Sequence, residues 1–275
     1  MIDFNQGLTL YDHPEIVQRL FFPRRDSAPD TDRPRAVNHV VTVAQDIWIA
    51  CRFYPSHPDA PNILYFHGNG ETASDYDFVA PLYNRMQINL FVTDYRGYGM
   101  SDGRPTCSTV IRDAHALFHS FTDLLTQRGF SGIPLVMGRS LGSAPAIEIA
   151  RHYQPRLKGL IVESGFASAR NQLRRIGMAH LLQENPDPIG FGNDLKIRDI
   201  TLPTLIIHGE EDEIIPVTEG RILYTLSGAL RKSSVFIPRT GHNDILIEGA
   251  TMYLAGLSEF IRKITGQNHT ACPDP

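Results

Sequence analysis

The chain has 275 residues, 42% of them hydrophobic and 20% charged, an ordinary globular composition with length enough for one large α/β domain. A net charge of −4 gives no basic footprint for nucleic acid, and no apolar run nears the roughly 18 residues that span a bilayer. Cys51, Cys107 and Cys272 cannot all pair and none lies in a C-x-x-C motif, which argues against a disulfide framework or a zinc site. With no secretion-signal pattern in Met1–Gln6, a cytoplasmic protein without an integral membrane segment is expected.

Residues 1–36 read as a lead-in punctuated by Pro14, Pro23, Pro29 and Pro34, with a short helix around Glu15–Phe21. Val40–Val43 and Ile47–Phe53 alternate as an antiparallel pair joined through Gln45-Asp46. Asn62–Phe66 is an apolar run of buried-strand type that ends in His67-Gly68-Asn69-Gly70-Glu71. A helix is predicted over Ser74–Met86, with Ser74 as its N-cap. Leu90–Val92 is the next strand, running into Asp94-Tyr-Arg-Gly-Tyr-Gly99-Met-Ser-Asp-Gly103. Ser108 to Thr126 places Ile111, Ala114, Leu117, Phe118 and Phe121 on one helical face.

Leu135–Met137 is a short buried strand, and Gly138-Arg139-Ser140-Leu141-Gly142 follows it as G-x-S-x-G, leading into a helix. Leu160–Val162 forms a further strand. Residues 166–197 then break the alternation, with one helix-like segment, Arg170–Gln183, and a Pro- and Gly-containing loop. Order resumes with a strand over Pro203–Ile207, a helix over Glu219–Leu226 and a strand over Ser234–Ile237. The loop Pro238–His242 and a last helix from Asp244 to Ile264 follow, and residues 266–275 are expected to be a flexible tail.

Strands that alternate with helices imply a mainly parallel sheet covered on both faces. Residues 37–265 are therefore expected to form one domain. The 166–197 insertion is expected to be a small cap above the carboxyl ends of the strands, where open α/β sheets place their sites.

About one random chain of this length in ten would carry G-x-S-x-G by composition alone. Its setting between strand and helix, and the partners elsewhere in the chain, decide its meaning. A serine hydroxyl needs a base to take its proton, and an acid to hold that base in the right tautomer. On the strand-to-helix elbow the order is serine, acid, histidine, each on a loop after a strand. Of the eleven histidines, His242 meets that condition, after the Val235–Ile237 strand. Asp212 lies in the loop after Leu205–Ile207, and Glu163, at the end of the strand after the elbow, is the rival acid. Oxyanion donors are expected from the Leu141 amide and from the loop after the third strand, at Asn69 or Gly70.

Taken together, His67-Gly-Asn-Gly, Asp94-Tyr-Arg-Gly-Tyr-Gly99, Gly138-Arg-Ser-Leu-Gly, His208-Gly-Glu-Glu-Asp212 and Gly241-His242-Asn-Asp resemble the α/β-hydrolase superfamily. Within it they resemble the small-capped serine hydrolases that include protein depalmitoylases and monoacyl-lipid hydrolases. The resemblance covers residues 37 to 264. It implies an α/β-hydrolase fold with a mostly parallel eight-stranded sheet and a small cap. It also implies Ser140, Asp212 and His242 as the catalytic set and Asn69 and Leu141 as oxyanion donors, with no metal or cofactor. Glu71 stands where many relatives have a small residue, which implies a more acidic mouth to the oxyanion hole.

The expected activity is hydrolysis of a small-molecule acyl ester or thioester through an acyl-enzyme. Phe166, Leu173, Ile176, Met178, Leu181 and Leu182 are candidates to line an acyl pocket. Two other readings stand beside it: a peptidase of the prolyl-oligopeptidase type, although no propeller-sized N-terminal domain is present, and a non-catalytic ligand-binding protein of the same fold. Substrate, chain length and oligomeric state are not legible in these residues.

Overall fold

The computed structural model describes residues 4–26, 36–183 and 189–266, with side chains from Leu8 onward. The expected tail beyond Gly266 and part of the expected cap lie outside the described residues. Eight strands form one sheet in the order β1-β2-β4-β3-β5-β6-β7-β8. They are β1 (Val37–Ala44), β2 (Ile47–Tyr54), β3 (Asn62–Phe66), β4 (Asn89–Thr93), β5 (Pro134–Arg139), β6 (Leu160–Glu163), β7 (Thr204–Gly209) and β8 (Lys232–Ile237). Only β2 runs against its neighbours; from β4 through β8 every pairing is parallel.

The strand order reverses between β3 and β5, because β3 connects outward to β4 on one side while β5 starts the run toward β8 on the other. The loops leaving the carboxyl ends of β3 and β5 therefore diverge and leave a crevice between them. The central strands are apolar along their middles because both faces are covered, with polar residues confined to their ends. In β3, Leu64 and Phe66 enter one core and Ile63 and Tyr65 the other. The first core is closed by α4 (Cys107–Gln127), α5 (Ser143–His152) and α8 (Val217–Leu226). The second is closed by α3 (Ala80–Arg85) and α9 (Ala250–Thr265).

Three helix predictions need correction. Between Ser74 and Met86 the chain makes a 3₁₀ turn over Ala73–Asp77 and then α3, not one helix. Pro81 explains the break, since it cannot donate to the Asp77 carbonyl four residues back and its ring crowds it. Thr72, not Ser74, is the N-cap, and its amide donates to the Asp75 carboxylate at 2.9 Å. The predicted Arg170–Gln183 helix divides into α6 (Ala169–Arg175) and a 3₁₀ turn over Ala179–Leu182. Gly177 separates them in a left-handed conformation, φ +75°, that few side chains tolerate. The last helix begins at Ala250 instead of Asp244, because the Asp244 carboxylate is engaged in the turn around His242, accepting the Gly241 N–H at 2.6 Å.

The first residues contain more structure than expected. Besides α2 (Pro14–Leu20), which matches the predicted short helix, there is α1 (Phe4–Tyr11). Gly7 and Thr9 are poor helix formers, so propensity hides it; packing holds it. Leu8, Tyr11, Ile16, Leu20 and Phe21 are buried in the first core. The Tyr11 hydroxyl donates to the Ala169 carbonyl at 2.9 Å and its ring meets Phe191 edge-on at 6.4 Å. The N-terminal helices thus pack against the insertion. The insertion itself is tied down by the buried Glu219 of α8, whose carboxylate accepts the Ala167 and Ser168 amides at 2.8 and 2.9 Å. It also includes a short helix, α7 (Asn193–Lys196), against α5 and α8. Phe166, Leu173 and Met178 are consumed in core packing, while Ile176, Leu181 and Leu182 are only partly buried.

Candidate active site

Ser140 directly follows β5 and sits at φ +52°, in the left-handed region that non-glycine residues avoid. The glycines on either side have steric causes. A Cβ on Gly138 would overlap the Gly142 carbonyl, and one on Gly142 would overlap the Phe66 carbonyl of the neighbouring strand. The turn is closed by the Ser143 hydroxyl, which donates to the Ser140 carbonyl at 2.7 Å. The result is a hydroxyl held where β5 ends and α5 begins, nearly buried at 7% exposure.

His242 Nε2 lies 3.0 Å from Ser140 Oγ, and His242 Nδ1 lies 2.7 Å from Asp212 Oδ2. A carboxylate only accepts, so Nδ1 carries the proton and Nε2 is left to accept from the serine hydroxyl. Asp212 is itself fully engaged. Its Oδ1 accepts the Ile214 and Ile215 amides at 3.0 and 2.7 Å, and its Oδ2 also faces His208 Nε2 at 3.2 Å. Burial works to raise the Asp212 pKa, but hydrogen bonds from His208 and His242, the facing imidazole and the Ile215 amide outweigh it and hold the group well below the usual carboxylate range. The structure therefore brings Ser140, His242 and Asp212 together from the ends of β5, β8 and β7.

The rival acid, Glu163, points elsewhere. It is completely buried, accepting from Arg139 Nε at 3.1 Å and from the Tyr253 and Tyr65 hydroxyls at 2.8 and 3.3 Å. Burial raises its pKa despite Arg139.

The loop after β3 lies against the elbow. His67 is buried, and its Nδ1 and Nε2 face the Gly68 carbonyl at 2.7 Å and Asp94 Oδ1 at 3.1 Å. Two acceptors require two protons, so the ring is an imidazolium. Burial opposes that charge, but Asp94 prevails and the pKa is raised. The Gly68 amide is turned inward onto Glu71 Oε2 at 2.8 Å, which leaves Asn69 as the next amide along the loop. The other carboxylate oxygen of Glu71, expected to make the mouth acidic, is paired with Arg139. A cavity of about 510 Å³ opens elsewhere, lined in part by Arg24, His39, Trp48, Arg52, Asp77 and Asp94, and none of Ser140, His242 and Asp212 borders it. No cluster of His, Cys, Asp and Glu suited to a metal ion occurs among the described residues.

Residues 57–185 match the family model described as serine aminopeptidase, S33. The chain is 31% identical to human α/β-hydrolase domain-containing protein 17B over 219 residues, 78% of this chain and 70% of that one. The chain belongs to the α/β-hydrolase family. It is also 30% identical to protein bem46 of Schizosaccharomyces pombe, over 67% of this chain and 62% of that one. As an α/β-hydrolase it shares its fold with the Pyrococcus furiosus esterase Pf2001, at TM-score 0.70 and 17% identity over 90% of this chain and 99% of that one. Est1E from Butyrivibrio proteoclasticus, solved with ferulic acid, aligns at TM-score 0.68 and 17% identity over 83% of this chain and the whole of that one.

Sequence reasoning missed three features of this α/β-hydrolase site. His208 is the second imidazole on Asp212 and donates to the Ile215 carbonyl at 2.7 Å. Its i, i+4 spacing to Asp212 was the available signal. Arg139 was an unspecified x of the elbow motif. The third is the Asn69 side chain, which ties the loop after β3 to the N-terminal segment. It donates to the Leu20 carbonyl at 2.7 Å and accepts the Phe22 amide at 3.0 Å and the Tyr98 hydroxyl at 2.6 Å. Asn69→Ala removes all three bonds and leaves partners unsatisfied, so a loss of about 2 kcal/mol is expected, read as an earlier urea midpoint with an unchanged slope. An unmoved midpoint would mean that the segment does not depend on this residue.

Proposed function

We propose that the protein is a serine hydrolase that cleaves carboxylic esters or thioesters through an acyl-enzyme. The reading is carried by one observation, the continuous relay from Ser140 Oγ through His242 to Asp212 at 3.0 and 2.7 Å. Ser140 Oγ attacks the substrate carbonyl while its proton passes to His242 Nε2. The imidazolium is stabilised by Asp212 through Nδ1–H. The Leu141 and Asn69 amides are the donors proposed for the oxyanion. As the tetrahedral intermediate collapses, His242 returns the proton to the departing alcohol or thiol. Water, deprotonated by the same imidazole, then attacks the acyl-serine, releasing the acid and restoring the hydroxyl. No step calls for a cofactor.

One relative by fold, Pyrococcus furiosus Pf2001, is named as an esterase, which favours ester chemistry in the proposal. A peptide amide is the second reading, favoured by the description of the matching family model as a serine aminopeptidase. Both use the same relay, so a panel of acyl esters, thioesters and N-terminal peptide amides separates them. The expected order has esters and thioesters turned over faster than any amide.

The direct test is mass spectrometry with a fluorophosphonate probe. Wild type should gain one covalent adduct and Ser140→Ala none, with ester kcat reduced about 10⁶-fold in the variant. A folded wild type that stays unlabelled would instead support a non-catalytic binding protein.

A further inference from the structure

The residue directly before Ser140 is a buried arginine, only 9% exposed. A buried guanidinium needs partners for its donors, and here each one leads to a different part of the site. Nε donates to Glu163 Oε1 at 3.1 Å, at the end of β6. Nη1 donates to Glu71 Oε1, in the loop after β3. Nη2 donates to the backbone carbonyl of His242 at 2.8 Å and to Asn243 Oδ1 at 3.1 Å, in the loop after β8.

The two carboxylates pass the constraint on. Glu71 Oε2 accepts the Gly68 amide at 2.8 Å and the Tyr76 hydroxyl at 2.9 Å. Glu163 Oε2 is held by Tyr253 and Tyr65. A Cβ on Gly68 would strike Arg139 Nη1 and the Glu71 carboxylate, so any larger residue would push the guanidinium away.

We propose that Arg139 is a positioning residue of the hydrolytic site, its guanidinium clamping the His242 loop and the loop after β3 at a fixed spacing around Ser140. It touches no reacting atom. It acts by holding the His242 carbonyl, and so the imidazole, in line with Ser140 Oγ. Through Glu71 it turns the Gly68 amide inward and sets the direction in which the following Asn69 amide points. Near-attack geometry is unforgiving, a displacement of about 1 Å costing about 10²-fold in rate. The inference rests on the reading of Ser140, His242 and Asp212 as a hydrolytic relay.

Replacing Arg139 alone leaves Glu163 buried without its cation, so Arg139→Gln is expected to lower stability as well as rate. The decisive variant is Arg139→Gln combined with Glu163→Gln, which removes both charges. Glu71 keeps the Gly68 amide and the Tyr76 hydroxyl as partners. The double variant should recover thermal stability relative to Arg139→Gln while kcat on an activated ester stays about 10²-fold down and KM moves less than about threefold. Recovery of kcat along with stability would reduce Arg139 to a structural ion partner and overturn the proposal.

A second readout does not depend on turnover. The His242 Nδ1 proton facing Asp212 should give a low-field ¹H resonance in wild type that shifts or broadens in the double variant. An unchanged resonance would also overturn the clamp. A wild type that hydrolyses nothing, yet shows the resonance and its change in the double variant, would defeat the hydrolytic reading and leave the clamp standing.

Discussion

Asp212→Asn is expected to lower ester kcat by about 10⁴-fold, while Glu163→Gln lowers it by no more than about tenfold. The difference follows from what each carboxylate faces. Asp212 Oδ2 accepts from His242 Nδ1 at 2.7 Å and so fixes which ring nitrogen is free for Ser140. An asparagine amide can donate to Nδ1, which places the imidazole proton on Nε2 and removes the acceptor from the serine hydroxyl. Glu163 is held by Arg139, Tyr253 and Tyr65, and a glutamine there can keep its oxygen on Arg139 Nε while its amide donates to the tyrosine hydroxyls, which can turn to accept. Steady-state kinetics on one activated ester compares the two, and a larger loss in Glu163→Gln would move the acid to that residue.

The same carboxylate has a signature in stability. Its pKa is depressed in the folded protein, so the unfolded chain takes up the proton first as pH falls. The stabilisation from Asp212 is fully present above about pH 4, the ordinary carboxylate value, and is lost as pH drops toward the folded value. Asp212→Asn should flatten that part of the acid unfolding profile.

Much of this architecture was legible because the signals are local. The buried strands have short apolar runs at their middles, and the glycines of the elbow mark a turn too crowded for a side chain. Ser140, Asp212 and His242 could be named as candidates because each follows a strand in a set order, a rule needing no knowledge of contacts. The broken helices also had readable causes in Pro81 and Gly177, outweighed there by the apolar periodicity around them. What stayed hidden depends on partners remote in sequence. Asn69 meets Leu20 across 49 residues, and Arg139 meets the His242 carbonyl across 103. Neither has a spacing that announces it. A polar side chain next to a motif is ordinary, and only the fold shows that one straps the N-terminal helices to the site and the other reaches the histidine loop. The helix α1 was illegible for the same reason, its stability coming from burial of Leu8 and Tyr11 instead of from propensity.

The left-handed backbone of Ser140 leads to the second large effect. Ser140→Gly should abolish probe labelling and cut ester kcat about 10⁶-fold, as Ser140→Ala does, and yet be the more stable of the two variants. At φ +52° any residue with a Cβ is strained, and only glycine is not. Both substitutions delete the hydroxyl that meets His242, so their difference isolates the backbone. Strain of this kind is worth about 1 kcal/mol after the larger chain entropy of unfolded glycine is subtracted. In a domain of this size that corresponds to a melting temperature roughly 2–4 °C higher for Ser140→Gly than for Ser140→Ala. Equal melting temperatures would mean that no strain is stored at the elbow. A higher value for glycine would mean that the chain gives up stability to lift a hydroxyl above the sheet, where His242 can reach it.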